Sequence, residues 1–326
     1  MGELARRPLG RGAITLTELG FGGASLGNLY RITGEAEARA AVDRAWEHGI
    51  RYFDTAPHYG LGLSERRLGD ALRDRPRDEY VLSTKVGRLL QANPTPTRLD
   101  TEGFVVPGAL HRVWDFSADG VRRSLDSSLT RLGTDHVDIV YAHDPDQYAS
   151  SAARQGLESL AGLREEGVVG AIGVGTNSTE GLAGLMADGL LDVVMLAGRY
   201  TLLEQGALAT VLEPARRTGT AVVAVGVFNS GLLSLVRPTA ESRYDYRAVP
   251  REVLDRALRL AEVCEAYGVA VPAAAIAFPL RHPAVVNVSL GMRNARQVDE
   301  NVARYQADVP EALWSALADA GLLAAG

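Results

Sequence analysis

The sequence predicts an α/β fold of the (β/α)8 TIM barrel class, with an N-terminal β-hairpin and C-terminal helices, and three observations carry that prediction. Eight short apolar runs rich in β-branched residues recur along the chain, and segments with helical spacing separate them. The 326 residues could fill one barrel-sized domain or two ordinary ones, and eight strands alternating with helices in that length favour one closed barrel over an open, doubly wound sheet. No linker-like composition shift, low-complexity tract or short repeat beyond the strand–helix unit divides the chain, so residues 1–326 read as one domain.

Taken in order, the first element is a hairpin around residues 13–16, ahead of the barrel. The strands follow at 19–22, 51–53, 81–84, 137–141, 169–174, 192–196, 221–225 and 285–290. Helical spacing covers 35–47, 65–73, 118–132, 154–166, 180–187, 205–217 and 251–267, with a further Ala-rich turn after the last. Start and stop signals frame several of them: Thr33 before and Gly49 after the first, Ser64 before the second, Ser117 before and Gly133 after the third. Two loops after strand ends are long. Residues 87–116 carry Pro94, Pro96, Pro107 and Trp114, and residues 228–250 carry Tyr244 and Tyr246, an aromatic content that reads as a cover over a site.

Composition narrows the function classes. A formal charge of −6 offers no cationic field for nucleic acid. A single cysteine, Cys264, excludes an internal disulfide and any Cys-rich metal cluster, which suits a reducing cytoplasm. The N-terminal stretch MGELARRPLGRGAITLTELG has no apolar core of the signal-peptide kind. The most apolar late stretch, GVAVPAAAIAFPL, is interrupted by Pro272 and Pro279 and is too short to span a bilayer. No H-E-x-x-H or comparable spacing predicts a metal. A cytoplasmic protein acting on a small molecule is the expectation, with no signal for an oligomeric state.

In such a barrel, function collects where strands end. Asp54 ends the second strand, Lys85 the third and His143 the fourth, so adjacent strands deliver an acid, a lysine and a histidine to one rim, and Tyr59 follows Asp54 in the turn DTAPHYG. Singly, each reads as a rim ion pair, a loop histidine or a packed ring. Together they form a proton-transfer set: an ammonium beside a phenol stabilises the phenolate and is expected to lower the phenol's pKa, while a histidine polarises a carbonyl oxygen.

These residues resemble the aldo-keto reductases. The motifs DTAPHYG (Asp54 to Gly60), Ser64-Glu65, Leu68-Gly69 with Ala71-Leu72, Ser83-Thr84-Lys85 and Tyr141-Ala142-His143-Asp144 match that family in order and spacing, over about residues 19–301. The resemblance implies Tyr59 as general acid/base, tuned by Lys85 and Asp54, and His143 orienting the substrate oxygen. It implies NADP or NAD as cofactor, bound without a G-x-G-x-x-G fingerprint, which the chain lacks. The matching positions are Thr176 and Asn177 after strand five, Asn229, Ser230, Gly231 and Leu232 after strand seven, and Gly291, Arg293, Gln297, Glu300 and Asn301 near the adenosine. Several positions depart from the family pattern: Ala197 stands where a glutamine usually joins the asparagine, AVVAVGVFNSG lacks the ring that usually stacks on the nicotinamide, and Gly291 and Gln297 stand where NADP-preferring members commonly have basic residues. Arg293 reads equally as a partner of a 2′-phosphate or the adenine face, or as a solvated arginine at a helix start, so the choice between NADP and NAD stays open.

Further matches, GGASLGN (22–28), LAGRY (196–200) with TLLE, VFNSG (227–231) and Tyr244-Asp245-Tyr246, resemble the branch of the family whose members oxidise the hydroxyl of a cyclic hemiacetal such as an aldose to a lactone. His58, Trp114, Asp144 and Arg199 are then candidates for contact with a sugar. An NADPH-dependent aldehyde or ketone reductase, and a cofactor-binding redox sensor of the same fold without turnover, are the alternatives.

Overall fold

A computed structural model describes residues 4–10, 12–149, 151–245 and 247–324. Eight parallel strands close into a barrel in sequence order: β1 (Leu19–Gly22), β2 (Tyr52–Asp54), β3 (Val81–Val86), β4 (Val137–His143), β5 (Val169–Thr176), β6 (Val193–Ala197), β7 (Ala221–Val225) and β8 (Val285–Gly291), with β8 paired to β1. All eight fall on the runs the sequence predicts, with ends shifted by a residue or two. The helices are α1 (Glu35–Glu47), α2 (Leu63–Leu72), α3 (Ala118–Leu132), α4 (Ala152–Glu165), α5 (Leu182–Ala187), α6 (Glu213–Thr218), α7 (Arg251–Ala266), α8 (Val271–Leu280), α9 (Ala295–Tyr305) and α10 (Glu311–Asp319). No single helix among the described residues is long and apolar enough to cross a membrane.

Strand alternation divides the chain into two cores. On β3, Leu82 and Val86 face the helices, whereas Val81, Ser83 and Lys85 face the barrel axis. The axial core holds Tyr52, Ile139, Tyr141, Val193, Met195 and Val223. An antiparallel hairpin, Arg6–Pro8 with Thr15–Thr17, closes the N-terminal mouth and adds Leu9 and Leu16 to that core. At the β1–β8 seam the interior is polar. A Cβ on Gly20 would lie 2.3 Å from Ser289 Oγ and 2.7 Å from Asn287 Nδ2, so only glycine fits there.

Several local expectations change. Ser64 caps no helix: α2 starts at Leu63, and the Ser64 hydroxyl donates to Gly23 O (2.7 Å) and meets Thr55 Oγ1 at 2.8 Å. Thr33 is likewise not a cap, since its hydroxyl donates to Ser25 O and Gly34 takes the N-cap position of α1. Ser117 does cap α3, accepting from Gly120 N, and Gly133 closes it in a left-handed turn. The 205–217 segment is split into a π turn, Leu208–Leu212, and the short α6. The Ala-rich turn after α7 is a full helix, α8.

The two long loops also have structure. Residues 87–116 form a two-stranded rim hairpin, Arg88–Thr97 with Gly108–Trp114, whose register shifts between Ala92 and Thr97. Pro94 and Pro96 sit in that irregular stretch, where a missing N–H costs no ladder bond. In residues 228–250 a short bridge joins Arg243–Tyr244 to Arg247–Ala248, and Tyr244 donates to Glu204. Tyr246 lies outside the described residues.

Candidate active site

Register alone brings three of the four expected groups together. Asp54 pairs across the sheet with Ser83, Lys85 with Tyr141, and His143 with Gly175, so the axial side chains of β2, β3 and β4 emerge side by side at the C-terminal rim. Tyr59 is placed by its turn. Gly60 (φ +63°) stands so close to Gly27 that a Cβ would lie 2.3 Å from Gly27 O, and this contact clamps the turn against the β1–α1 loop. Lys85 Nζ donates to Asp54 Oδ2 at 2.6 Å and to Thr55 O at 2.9 Å, and lies 4.7 Å from the centre of the Tyr59 ring. The His143 ring stands edge-on to Tyr59, with centroids 5.9 Å apart.

Below this set runs a line of hydroxyls. Ser83 Oγ donates to Asp54 Oδ1 (2.7 Å), so the Tyr52 hydroxyl, 3.0 Å from Ser83 Oγ, donates to Ser83. Tyr141, 3.0 Å from the Tyr52 oxygen, donates in turn to Tyr52. Burial depresses the Lys85 ammonium, but Asp54 and Tyr59 outweigh it, and the lysine is held protonated. Tyr59 departs from the sequence expectation: its pKa is pushed up to about 12, not lowered. Burial is the main cause; Lys85 opposes it, and the Asp54 carboxylate behind the lysine cancels part of the ammonium's field. The resting group is a phenol with a proton to give.

The wall beside Tyr59 comes from the rim hairpin and contains residues the sequence did not single out. Phe104 lies 6.1 Å from the Tyr59 ring and 5.1 Å from His58, and His58 stands 5.4 Å from His143. Arg112 pairs with Asp100 (2.6 Å) and donates to His58 O (2.8 Å), tying the hairpin to the DTAPHYG turn. Arg88 donates to Asp144 Oδ2 at 2.6 Å and lies 4.3 Å from the Trp114 ring centre. Burial and the neighbouring cations Arg88, Arg112 and Lys85 bring His58 down to about 2, and the same causes leave His143 neutral. Of the four sugar-contact candidates, His58 alone stands against the Tyr59–His143 pair through its ring. Asp144 and Trp114 are engaged by Arg88, and Arg199 donates to Asn177 O (2.8 Å) and pairs with Asp245. Only a cation three residues after Lys85, in KVGR, hinted at Arg88 in the sequence.

A family model for the aldo/keto reductase family matches residues 18–320. The chain belongs to that family. It is 45% identical over 314 residues to D-threo-aldose 1-dehydrogenase of a Pseudomonas species, covering 95% of each chain. It is 38% identical to pyridoxal 4-dehydrogenase of Microbacterium luteolum, covering 98% of each. Among solved structures it resembles the aldo-keto reductase AKR11C1 of Bacillus halodurans in its holo form, with a TM-score of 0.77 and 26% identity over 97% of this chain and 96% of that one. As an aldo/keto reductase, the protein is an NAD(P)-dependent oxidoreductase.

The reductase's expected cofactor positions line the ends of β5, β7 and β8. Asn229, Ser230 and Gly231 take consecutive left-handed conformations (φ 45°, 60° and 92°). Thr201 Oγ1 accepts from both Leu203 N and Glu204 N, so its own proton goes to Asn229 Oδ1 at 2.8 Å. That fixes the Asn229 amide orientation and leaves its buried Nδ2 without an acceptor in the protein. An unmet donor beside a turn of this kind fits a dinucleotide, which presents acceptor oxygens. Leu232 is buried beneath the turn. At β5, Thr176 Oγ1 donates to Asp146 and accepts from Ser178 N, which sets the backbone of Asn177.

Arg293, after Gly291 at the end of β8, is neither solvated nor free. It is buried, and its guanidinium donates to Leu29 O (2.6 Å), Arg31 O (3.1 Å) and Thr33 Oγ1. The arginine therefore staples the β1–α1 loop to β8. Gln297 accepts from Arg293 N at 2.8 Å, Asn294 caps α9, Asn301 accepts from Arg304, and Glu300 pairs with Arg296.

Proposed function

We propose that the protein oxidises the anomeric hydroxyl of an aldose of the L-fucose or D-threo type, in its ring form, to the lactone. The observation that carries this reading is the buried, fully partnered Asp54–Lys85 pair beside Tyr59 and His143, together with the full-length likeness to a D-threo-aldose 1-dehydrogenase. A bound nicotinamide dinucleotide supplies the hydride acceptor. Asn177, Asn229 and the turn at residues 229–231 would hold it.

The rest is done by side chains of this chain. In the oxidation direction Tyr59 acts as the phenolate, which the Lys85 ammonium stabilises; it takes the hydroxyl proton of the substrate and becomes the phenol. Asp54 keeps that ammonium charged and aimed, with Ser83 fixing the second carboxylate oxygen. Neutral His143 and His58 give the sugar oxygen a polar, uncharged wall. The high pKa of the Tyr59 phenol favours the opposite proton transfer, so reduction of an aldehyde or ketone is the second reading.

Both are tested with purified protein, NAD and NADP, and a panel of aldoses and aldehydes. Lactone formation with steady appearance of reduced cofactor supports the first reading. Faster aldehyde reduction than sugar oxidation at matched concentrations supports the second, and cofactor binding with no turnover on either panel would leave only a sensor. Tyr59→Phe should lower turnover by about 10²- to 10⁴-fold while leaving the dissociation constant for the cofactor unchanged, and activity within about tenfold of the parent removes Tyr59 from its role.

A further inference from the structure

Arg88 stands outside the Asp54–Tyr59–Lys85–His143 set, yet it is 5% exposed and touches that set from two sides. Its Nη2 donates to Asp144 Oδ2 (2.6 Å) and to Gln147 Oε1 (3.1 Å), and its Nη1 lies 3.4 Å from both His58 Nδ1 and Glu102 Oε2. The Asp144 oxygen that it binds is also 3.5 Å from His143 Nε2. One carboxylate oxygen thus sits between a guanidinium and the imidazole. At that distance the carboxylate attracts an N–H and repels a lone pair, so it favours the tautomer of neutral His143 with its N–H on Nε2. Nδ1, buried and without a partner, keeps the lone pair.

We propose that Arg88 is a positioning residue for the reaction: it anchors Asp144 beside His143, and so fixes the tautomer of that ring and keeps it uncharged. This rests on the reading of Tyr59 and His143 as the groups facing substrate. The charges around the pair are few. Asp144 faces Arg88, Asp146, Lys85 and the Tyr59 phenol, His143 faces Arg88, Lys85, His58, Arg112 and the same phenol, and Glu102 lies against Arg88 and His58. Burial raises Asp144 to about 6 even with Arg88 opposing, and after burial Arg88 is the foremost influence keeping His143 unprotonated. Removing the guanidinium therefore pushes both groups the same way, and the Asp144–His143 pair takes up a proton near neutral pH.

The test is the pH dependence of kcat/KM for the parent, Arg88→Met, Arg88→Gln and Arg88→Lys, with ring-proton NMR of His143 as a readout independent of turnover. In the Met and Gln variants the acid limb should move up by about 1 to 3 pH units, the range expected on losing an opposite charge at this distance. The His143 ring, neutral in the parent between pH 5 and 8 with only the small step that Asp144 imposes near pH 6, should show the large shift of imidazolium formation within that window. Arg88→Lys, which keeps a cation, should leave the limb near its parental place. Adding Asp144→Asn to Arg88→Met should abolish the displaced limb. A profile in Arg88→Met and Arg88→Gln that is scaled down but unchanged in shape, with no imidazolium formation at His143, overturns the proposal. Should Tyr59→Phe prove fully active, the catalytic reading falls while the His143 titration still decides the role of Arg88.

Discussion

Replacing Lys85 by methionine strands the Asp54 carboxylate. The pair is 2.6 Å apart, with side chains 2% and 4% exposed, so neither charge has water to fall back on. At an effective dielectric near 20, the attraction at that distance is roughly 6 kcal/mol. The Ser83 hydrogen bond to Asp54 survives the change, and the carboxyl can take up a proton, which limits the loss. Thr55 O, 2.9 Å from the ammonium, also loses its donor. The expected destabilisation at pH 8 is therefore about 3 to 5 kcal/mol, the range for breaking a buried pair from one side. The sign of the pH dependence follows. In the variant the folded-state pKa of Asp54 stands above its unfolded value, so the penalty is present at alkaline pH and shrinks as pH falls through the folded pKa. In the parent, Lys85 is raised, so its contribution is complete below the unfolded lysine pKa and is lost only as pH rises through the folded one. The assay is denaturant unfolding of the parent and Lys85→Met at pH 8 and pH 5, with Asp54→Asn added to Lys85→Met to remove the stranded charge. The double variant should recover at least half of the loss. A deficit under about 1 kcal/mol, or one equal at both pH values, would refute the reasoning.

Two further outcomes are expected. Arg293→Ala leaves the carbonyls of Leu29 and Arg31 without their donor, so affinity for NADP and NAD should fall in parallel and unfolding should ease by about 2 to 4 kcal/mol; a loss confined to NADP would mean that the guanidinium leaves its staple to meet a 2′-phosphate. His58 and His143 are neutral in the fold with depressed pKa values, so the stability they carry is present above about pH 6.5 and drains away below it, each by roughly 1.4 kcal/mol per pH unit, while Asp144, raised to about 6, works the other way below that value. His58→Asn should flatten the loss measured by urea unfolding between pH 6.5 and 5, and an unchanged slope would count against a buried neutral imidazole at that position.

The parts legible in the sequence are those fixed by local pattern. Strand periodicity located all eight barrel strands, and the rule that strand ends meet at one rim joined Asp54, Lys85 and His143 across 90 residues of chain. What stayed hidden depends on surroundings. The proton affinity of Tyr59 turns on burial by Phe104 and on the carboxylate behind Lys85, and no adjacent residue reports either. The rim hairpin was masked by Pro94 and Pro96, which argue against a strand wherever a full ladder is required. Arg293 sits in a polar heptapeptide, GMRNARQ, that looks solvated until the carbonyls of residues 29 and 31 are folded against it. Ser64 and Thr33 read as caps because their residue type fits, but tertiary acceptors claimed their hydroxyls first.

The hydroxyl line beneath the site has a direction. Tyr141 gives to Tyr52, Tyr52 to Ser83 and Ser83 to Asp54. Among the described residues the floor of the barrel is the apolar set Ile139, Val193 and Met195 with Leu9 and Leu16, while at the polar seam Asn287 donates to Thr17 O and Ser289 to Asn287. Such a relay is a cul-de-sac: it can reorient, but it has no outlet at the closed mouth of the barrel. Traffic of protons between Tyr59 and bulk water must use the same doorway as the substrate, and whatever fills that doorway also governs when the phenol can be recharged.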